Sequence, residues 1–225
     1  MIKNIFQKLL YKSGKTYSID ANIPDGLIWQ TLYRRIMMLT RGILTLRKKV
    51  YLGRGCSISN KKNIIFGYNV TIEKNTIIDG YALEKLSIGH GSRIGAYSLV
   101  SCTSHLSKYG VGLKMGNNSA VGQFTEFGAA GGIVIGDDVI MGSYVSFHSE
   151  NHNFNDTTKL IREQGVSSKG IQIGNDVWVG AKVTFLDGSK VGNHCVVAAG
   201  AVVNGVFPDH SVIGGVPAKI LKTLV

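Results

Sequence analysis

The 225-residue chain carries 25 Lys and Arg against 14 Asp and Glu, a formal net charge of +11, and 29 glycines beside only 3 prolines. That length permits one sizeable core in one or two domains, and the three cysteines, Cys56, Cys102 and Cys195, are odd in number and fall in no CxxC or CxxxC spacing, which excludes a disulfide framework or a zinc knuckle and leaves them as small core residues. No aromatic-and-basic interleaving accompanies the charge, so nucleic acid is not the expected partner.

Residues 1–49 form a leader that holds ten Lys or Arg against Asp20 and Asp25. Residues 1–13 have no continuous apolar core before a cleavage site, and the apolar run 36–46 is broken by Arg41 and bounded by Arg47, so neither a signal peptide nor a membrane span is expected and the location reads as cytoplasmic. In residues 28–49 Leu32, Ile36, Leu39, Ile43 and Leu46 recur at helical spacing, with Arg34, Arg35, Arg41 and Lys48 between them. The spacing predicts an amphipathic helix whose apolar stripe caps the first coil of the chain beyond residue 50, with peripheral contact to an anionic membrane face as its second role.

From Leu52 onward a large apolar residue returns every sixth position: Ile58; Phe66, Ile72, Ile78; Ile88, Ile94, Val100, Leu106; Met115, Val121, Phe127, Ile133. A two-residue shift leads to Ile135, Met141 and Phe147, and after a gap the phase resumes at Ile173 and runs to Val203. Twelve of these residues are followed by glycine, and a small or β-branched residue, such as Ser92, Ser98, Ser119, Val177, Val183, Cys195 or Ala201, usually stands four places on. Six is the period of neither a long helix nor a continuous strand. It fits short strands set three to a coil, with every sixth side chain inside a triangular prism and the glycine taking the turn.

The gap, about residues 148–170, reads HSENHNFNDTTKLIREQGVSSKG, polar and without phase between two well-formed coils, and a loop this long inside a compact repeat is functional more often than not. It offers His148 and His152, either of which as a neutral imidazole can take a proton near pH 7. Glu150 between them is placed to orient His152.

The last block, IGNDVWVGAKVTFLDGSKVGNHCVVAAGAVVNGVFPDHSVIGGVPAKILK at 173–222, and with it residues 50–225, resembles the hexapeptide-repeat acyltransferases, in particular the maltose and galactoside O-acetyltransferases and those that decorate capsule and O-antigen polysaccharides. The resemblance implies an all-β fold, a left-handed parallel β-helix solenoid with a short helical leader and an extruded active-site loop, assembled as a homotrimer with acetyl-CoA between neighbouring subunits. It implies His152 as general base, with His148 lining the site, and Trp178 as a wall of the cleft beside the histidine of an adjoining subunit. Turn amides near Gly142 and Ser143 would hold the oxyanion, Ala181 and Ala199 would let the pantetheine arm approach the backbone, and Lys219 and Lys222 would face the 3′-phosphate of CoA. Asn204 and Gly205 stand where relatives often have Thr-Lys, which removes one expected phosphate contact. On the acceptor side the pattern departs: where relatives have a sugar-binding carboxylate the chain reads GAAGG at 128–132, leaving Glu126, Arg162 and Glu163 as nearby candidates and favouring a glycan or glycan-lipid acceptor over a free disaccharide.

The function expected is therefore transfer of acetyl from acetyl-CoA to a hydroxyl of a capsule, O-antigen or exopolysaccharide unit, with no metal. The alternatives are N-acetylation of an amino sugar, O-acetylation of an antibiotic, a γ-carbonic-anhydrase-like zinc protein, and an inactive scaffold. His90, His105, His194 and His210 lack the local spacing that a zinc site would need.

Overall fold

A computed structural model describes residues 2–12 and 16–224. From Tyr51 on, the chain winds as the six-residue period demands, in coils of three short strands such as Thr71–Ile72, Ile77–Asp79 and Leu86–Ile88. Among the described residues these strands build three sheets of nine, seven and seven, the coil strands pairing in parallel with their equivalents one coil on and only the last strand of the nine pairing antiparallel. The fold is a left-handed parallel β-helix with three flat faces, here numbered first, second and third in the order the chain visits them.

Strands of the first two sheets turn one side chain inward, for example Ile72, Ile94, Val121 and Val179, or Ile78, Val100 and Phe127, all buried. Strands of the third sheet turn in two: Leu86 with Ile88, Leu113 with Met115, Ile133 with Ile135, Ile171 with Ile173. That doubling is the origin of the two-residue shift in the sequence. Phe127, Phe147 and Phe185 stack through the prism with centroids 4.9 and 5.0 Å apart, the spacing of neighbouring β-strands. Each such ring contributes about 2–3 kcal/mol by burial. Leu106 does not join them. It keeps the six-residue count but lies fully exposed in a loop at residues 102–112, so its place in the repeat is corrected to an insertion.

The glycines after the apolar positions do not supply the left-handed turn residue. None of the twelve has positive φ; that conformation falls two places later, on Asn69, Tyr97, Asn118, Phe124, Asp138, Tyr144, Asp176, Lys182 and His194. The glycines are needed for close approach, since a Cβ on Gly122 would sit 2.5 Å from the Ser143 nitrogen of the next coil and one on Gly89 would overlap the Gly116 carbonyl.

A ladder of side chains climbs the corner between the third and first sheets. The Tyr68 N–H donates to His90 Nδ1, and the N–H of His90 to Asn117 Oδ1. The series continues from Asn117 to Asp137, Asp137 to Asn175, Asn175 to Asn193 and Asn193 to Asp209, at 2.6–2.9 Å. The Asn193 N–H, and then its side-chain amide, hold the Asp209 carboxyl below the usual carboxylate range. Small side chains fill the buried corner positions, and Ser92 and Ser119 donate there to the carbonyls of Gly116 and Gly136. Burial pushes the Cys102 thiol up to about 12 and raises those of Cys56 and Cys195.

The leader holds two helices, α1 (Ile2–Lys12) and α2 (Asp25–Leu46). α2 packs on the first coil, but not by the stripe its sequence suggests. Ile28, Met38 and Gly42 are buried, Leu32, Leu39 and Leu46 are half-buried, and Ile36 and Ile43 are exposed. The helix is rotated toward its arginines because these serve the solenoid rather than water. Arg41 donates to the Leu52 carbonyl at 2.5 Å, Arg35 lies over the Tyr51 ring at 4.4 Å and donates to Thr71 Oγ1, and Arg34 stands 3.9 Å from Glu73. With Lys48 on the Ile64 carbonyl, these cations cap the open edge of the first coil. At the other end Ala218–Thr223 folds back antiparallel on Ser211–Gly215 and covers the last edge of the first sheet.

Gly122→Ala should destabilise the solenoid by about 1–3 kcal/mol, as overpacked cores do. Gly26→Ala, at an open helical position with nothing within 4 Å, should be neutral or stabilising by up to about 1 kcal/mol. Urea unfolding of the two variants against the parent protein measures both.

Candidate active site

The extruded loop leaves at the end of Ser146–His148 and returns at Ile171–Ile173, so it stands on the corner between the second and third sheets. Within it Asn151–His152 pairs antiparallel with Val166–Ser167, and the Gln164 side chain ties the tip by bonds to the carbonyls of Asp156 and Lys159. His152 is exposed, and its ring has no hydrogen-bond partner among the described residues.

Glu150 does not reach His152. Its carboxylate accepts from Lys108 Nζ at 3.1 Å and Ser104 Oγ at 3.2 Å, and Lys108 also donates to Ser168 at 2.9 Å. The orienting role expected of Glu150 is therefore replaced, in the single chain, by an anchor between two loops. The partner loop is the 102–112 insertion, which leaves the same corner two coils earlier. GAAGG lies between them as their floor. A Cβ on Gly131 would overlap the Ser149 carbonyl oxygen, and one on Gly110 would sit 3.0 Å from Ala130 Cα. Close approach thus holds Gly131 and Gly110 to glycine.

His148 and Glu126 lie outward on the second sheet, on neighbouring strands, His148 opposite Gly128 and Glu126 opposite Ser146. Arg162 and Glu163 are exposed in the short 3₁₀ turn of the loop.

The remaining residues fall on the other side of the prism. Trp178 is 61% exposed on the first sheet, in one register row with Val196, Val212 and Lys222. The register slip in the terminal hairpin sets Lys219 opposite Gly214 and Lys222 opposite Val212, so both lysines share one face of the strand. Gly142, Ala181 and Ala199 stack along the corner between the first and second sheets. Asn204 and Gly205 lie on the next corner and do not join this group.

The corner that carries Gly142, Ala181 and Ala199 differs chemically from the laddered one. At the laddered corner the N–H after each glycine is taken by a side chain of the next coil. Here the equivalent residues are Ala96, Gln123, Ser143, Ala181 and Ala199, and none of their N–H groups has an acceptor among the described residues. Gly142 itself donates to the Val179 carbonyl at 2.8 Å, so of the two amides expected to hold an oxyanion only that of Ser143 is open. Beside them run the stacked rings of Tyr97, Phe124 and Tyr144, 5.0 Å apart, with Lys74 over Tyr97. Neither this ladder nor Lys108 is among the residues expected from the sequence. Tyr, Phe and Tyr recurring at the left-handed turn position are the signal for the first; nothing local marks the second.

A groove of about 470 Å³ lined by Phe66, Tyr68, Ile88, His90 and Met115 lies on the third sheet of the first coils, away from both groups of residues. Among the described residues no group of three or more His, Cys, Asp or Glu is placed to hold a metal ion.

Residues 170–205 match the family model described as bacterial transferase hexapeptide (six repeats). The chain carries that hexapeptide repeat. Over 140 residues it is 31% identical to a Mycobacterium tuberculosis protein named a probable acetyltransferase, covering 62% of this chain and 45% of that one. Over 113 residues it is 34% identical to an Escherichia coli protein whose name assigns it, provisionally, to lipopolysaccharide biosynthesis O-acetyl transfer, covering 47% and 58%. The repeat chain spans about half the length of the curated relatives it matches. Among solved structures it superposes on AntD, an N-acyltransferase from Bacillus cereus crystallised with dTDP and 3-hydroxybutyryl-CoA, with a TM-score of 0.54 and 19% identity over 79% of this chain and 81% of that one, a likeness of fold.

Lys108→Ala should loosen the loop without unfolding the solenoid. A partly exposed ion pair is worth about 0.5–1 kcal/mol, so cleavage within residues 149–170 by a trace of protease should quicken about two- to fivefold. Mass spectrometry of the fragments over time gives the rate.

Proposed function

We propose that the chain is an acyltransferase that moves acetyl from acetyl-CoA to a sugar hydroxyl of a surface-polysaccharide unit, and that it works as a homotrimer. The observation that carries this reading is the corner of open N–H donors. In a solenoid whose opposite number is fully laddered, a column of unpaired amides among small side chains suits an extended ligand with its own amide carbonyls, which the pantetheine arm of CoA is. Trp178 flanks that column, and Lys219 and Lys222 stand at its far end, where a phosphate would be met by two cations.

The candidate base stands on the opposite side of the prism, on the corner facing away from the first sheet. One chain therefore supplies a donor-binding strip and a catalytic loop that cannot meet each other. Copies set side by side complete the site: the loop of one protomer reaches the open corner of the next. This arrangement supports the trimer.

The chemistry rests on the groups in place. Free of internal partners, the His152 imidazole accepts the proton of the acceptor hydroxyl as its oxygen attacks the thioester carbonyl and the C–O bond forms. The Ser143 N–H donates to the carbonyl oxygen as it becomes anionic. Collapse breaks the C–S bond, and the imidazolium returns its proton to the leaving thiolate, giving the acetyl ester and CoA–SH. The polar 102–112 and 149–170 loops, joined by Lys108 and Glu150, frame the acceptor side, with Arg162, Glu163, Glu126 and His148 available to its hydroxyls.

A second reading has an amine as acceptor, as in AntD, an N-acyltransferase of like fold. The same base and the same donor strip serve that reaction. Hydroxylamine separates the two, since it cleaves an ester product and spares an amide.

His152→Ala should lower kcat for acetyl transfer by about 10²–10⁴-fold while leaving acetyl-CoA affinity and melting temperature near those of the parent. Retained activity in that variant, with loss in His148→Ala, transfers the role to His148. Replacing Lys219 and Lys222 together by Ala should raise KM for acetyl-CoA about tenfold and that for the dephospho donor far less. An equal loss with both donors would show that the lysines only secure the terminal hairpin.

A further inference from the structure

With the arginines of α2 turned to the solenoid, the outer side of the helix is left apolar. Trp29, Tyr33, Ile36, Met37, Ile43 and Leu44 are 60, 67, 59, 41, 45 and 83% exposed. Their spacing of three, four and seven sets them along one side of α2 for about 22 Å, at 1.5 Å per residue. On α1, Ile5 and Leu9 are half-exposed and flank the exposed Lys8 on one side of that helix. So many large apolar side chains open to water on one element mark a surface that is covered in use.

The charge around this surface says what covers it. Residues 1–72 contain thirteen Lys and Arg against two Asp. Lys8, Arg47, Lys49 and Lys62 are exposed, and their side chains have no partner among the described residues. Arg47 caps α2 at the end of the apolar stripe, about five turns on from Trp29. A second copy of this chain would bring the same cations against themselves. An anionic lipid surface would neutralise them while its acyl boundary takes the apolar stripe, and Trp and Tyr suit the interface between the two. No helix among the described residues is long and apolar enough to cross a membrane, so the fitting geometry is a helix lying in the surface.

We propose that the α1–α2 leader docks the protein on anionic membrane, with the Trp29–Leu44 side of α2 laid into the headgroup boundary. The solenoid then stands off the bilayer with its first coil nearest the lipid. The leader has two roles on two sides: its cations Arg34, Arg35, Arg41 and Lys48 hold the open end of the solenoid, and its apolar outer side holds the lipid. This inference does not depend on the acyl-transfer reading.

The full chain tests it by sedimentation with phosphatidylcholine vesicles, with and without one-third phosphatidylglycerol. Binding should be about tenfold tighter or more to the anionic vesicles and should weaken as salt is raised. In a Trp178→Phe background Trp29 is the one remaining tryptophan, and its emission should shift to the blue on anionic vesicles alone. The variant carrying Tyr33→Ser, Ile36→Ser and Leu44→Ser should lose the binding while keeping the parent's melting temperature and solution mass. Binding to neither vesicle, or equal binding to both, would overturn the proposal. So would a triple variant whose solution mass falls, because the surface would then belong to contact between copies.

Discussion

Each coil of this solenoid sits one β-strand spacing, about 4.8 Å, above the last, and every corner must pass the chain within that height. Glycine is required where backbone lies directly on backbone, as at Gly89 and Gly122, and the left-handed turn residue beyond it projects outward, where any side chain can stack on its equivalent above and below. The flat core rings and the external Tyr97, Phe124 and Tyr144 ladder obey the same step. What distinguishes the three corners is how each treats the N–H groups that this geometry turns outward.

One corner satisfies them with its own Asn, Asp and His side chains, and the result is a stitched, inert edge. A second leaves them without an acceptor among the described residues. The third admits insertions, and the two long ones, 102–112 and 149–170, meet over GAAGG through Lys108 and Glu150. Three chemically different edges thus arise from one repeat, by the residue that follows each glycine at two corners and by inserted chain at the third.

The period and the prism are legible in the sequence because close packing forces both the inward residue and its glycine at nearly every corner. Leu106 keeps the phase by chance inside a loop, and this hides the 102–112 insertion and with it the partner of Glu150. A carboxylate two residues from a histidine on an extended strand looks placed to orient it, and only the fold reveals a lysine from 42 residues earlier that takes it instead. The stripe of α2 misleads for a physical reason: arginine reads as a residue for water, whereas here Arg35 and Arg41 pack and donate against the first coil, and the leucine side of the helix is only half-covered. The open amides of Ser143, Ala181 and Ala199 are backbone groups, visible only once the opposite corner shows what capping looks like.

The side-chain ladder also has a direction. Each rung runs from an N–H in one coil to a side chain in the coil that comes after it in the chain, from Tyr68 up to Asp209. Each coil of the ladder therefore offers an N–H whose side-chain acceptor is supplied by the coil that follows it. The ladder runs in this sense to Asp209, beyond which Ala218–Thr223 folds back antiparallel over Ser211–Gly215 and covers the edge that follows.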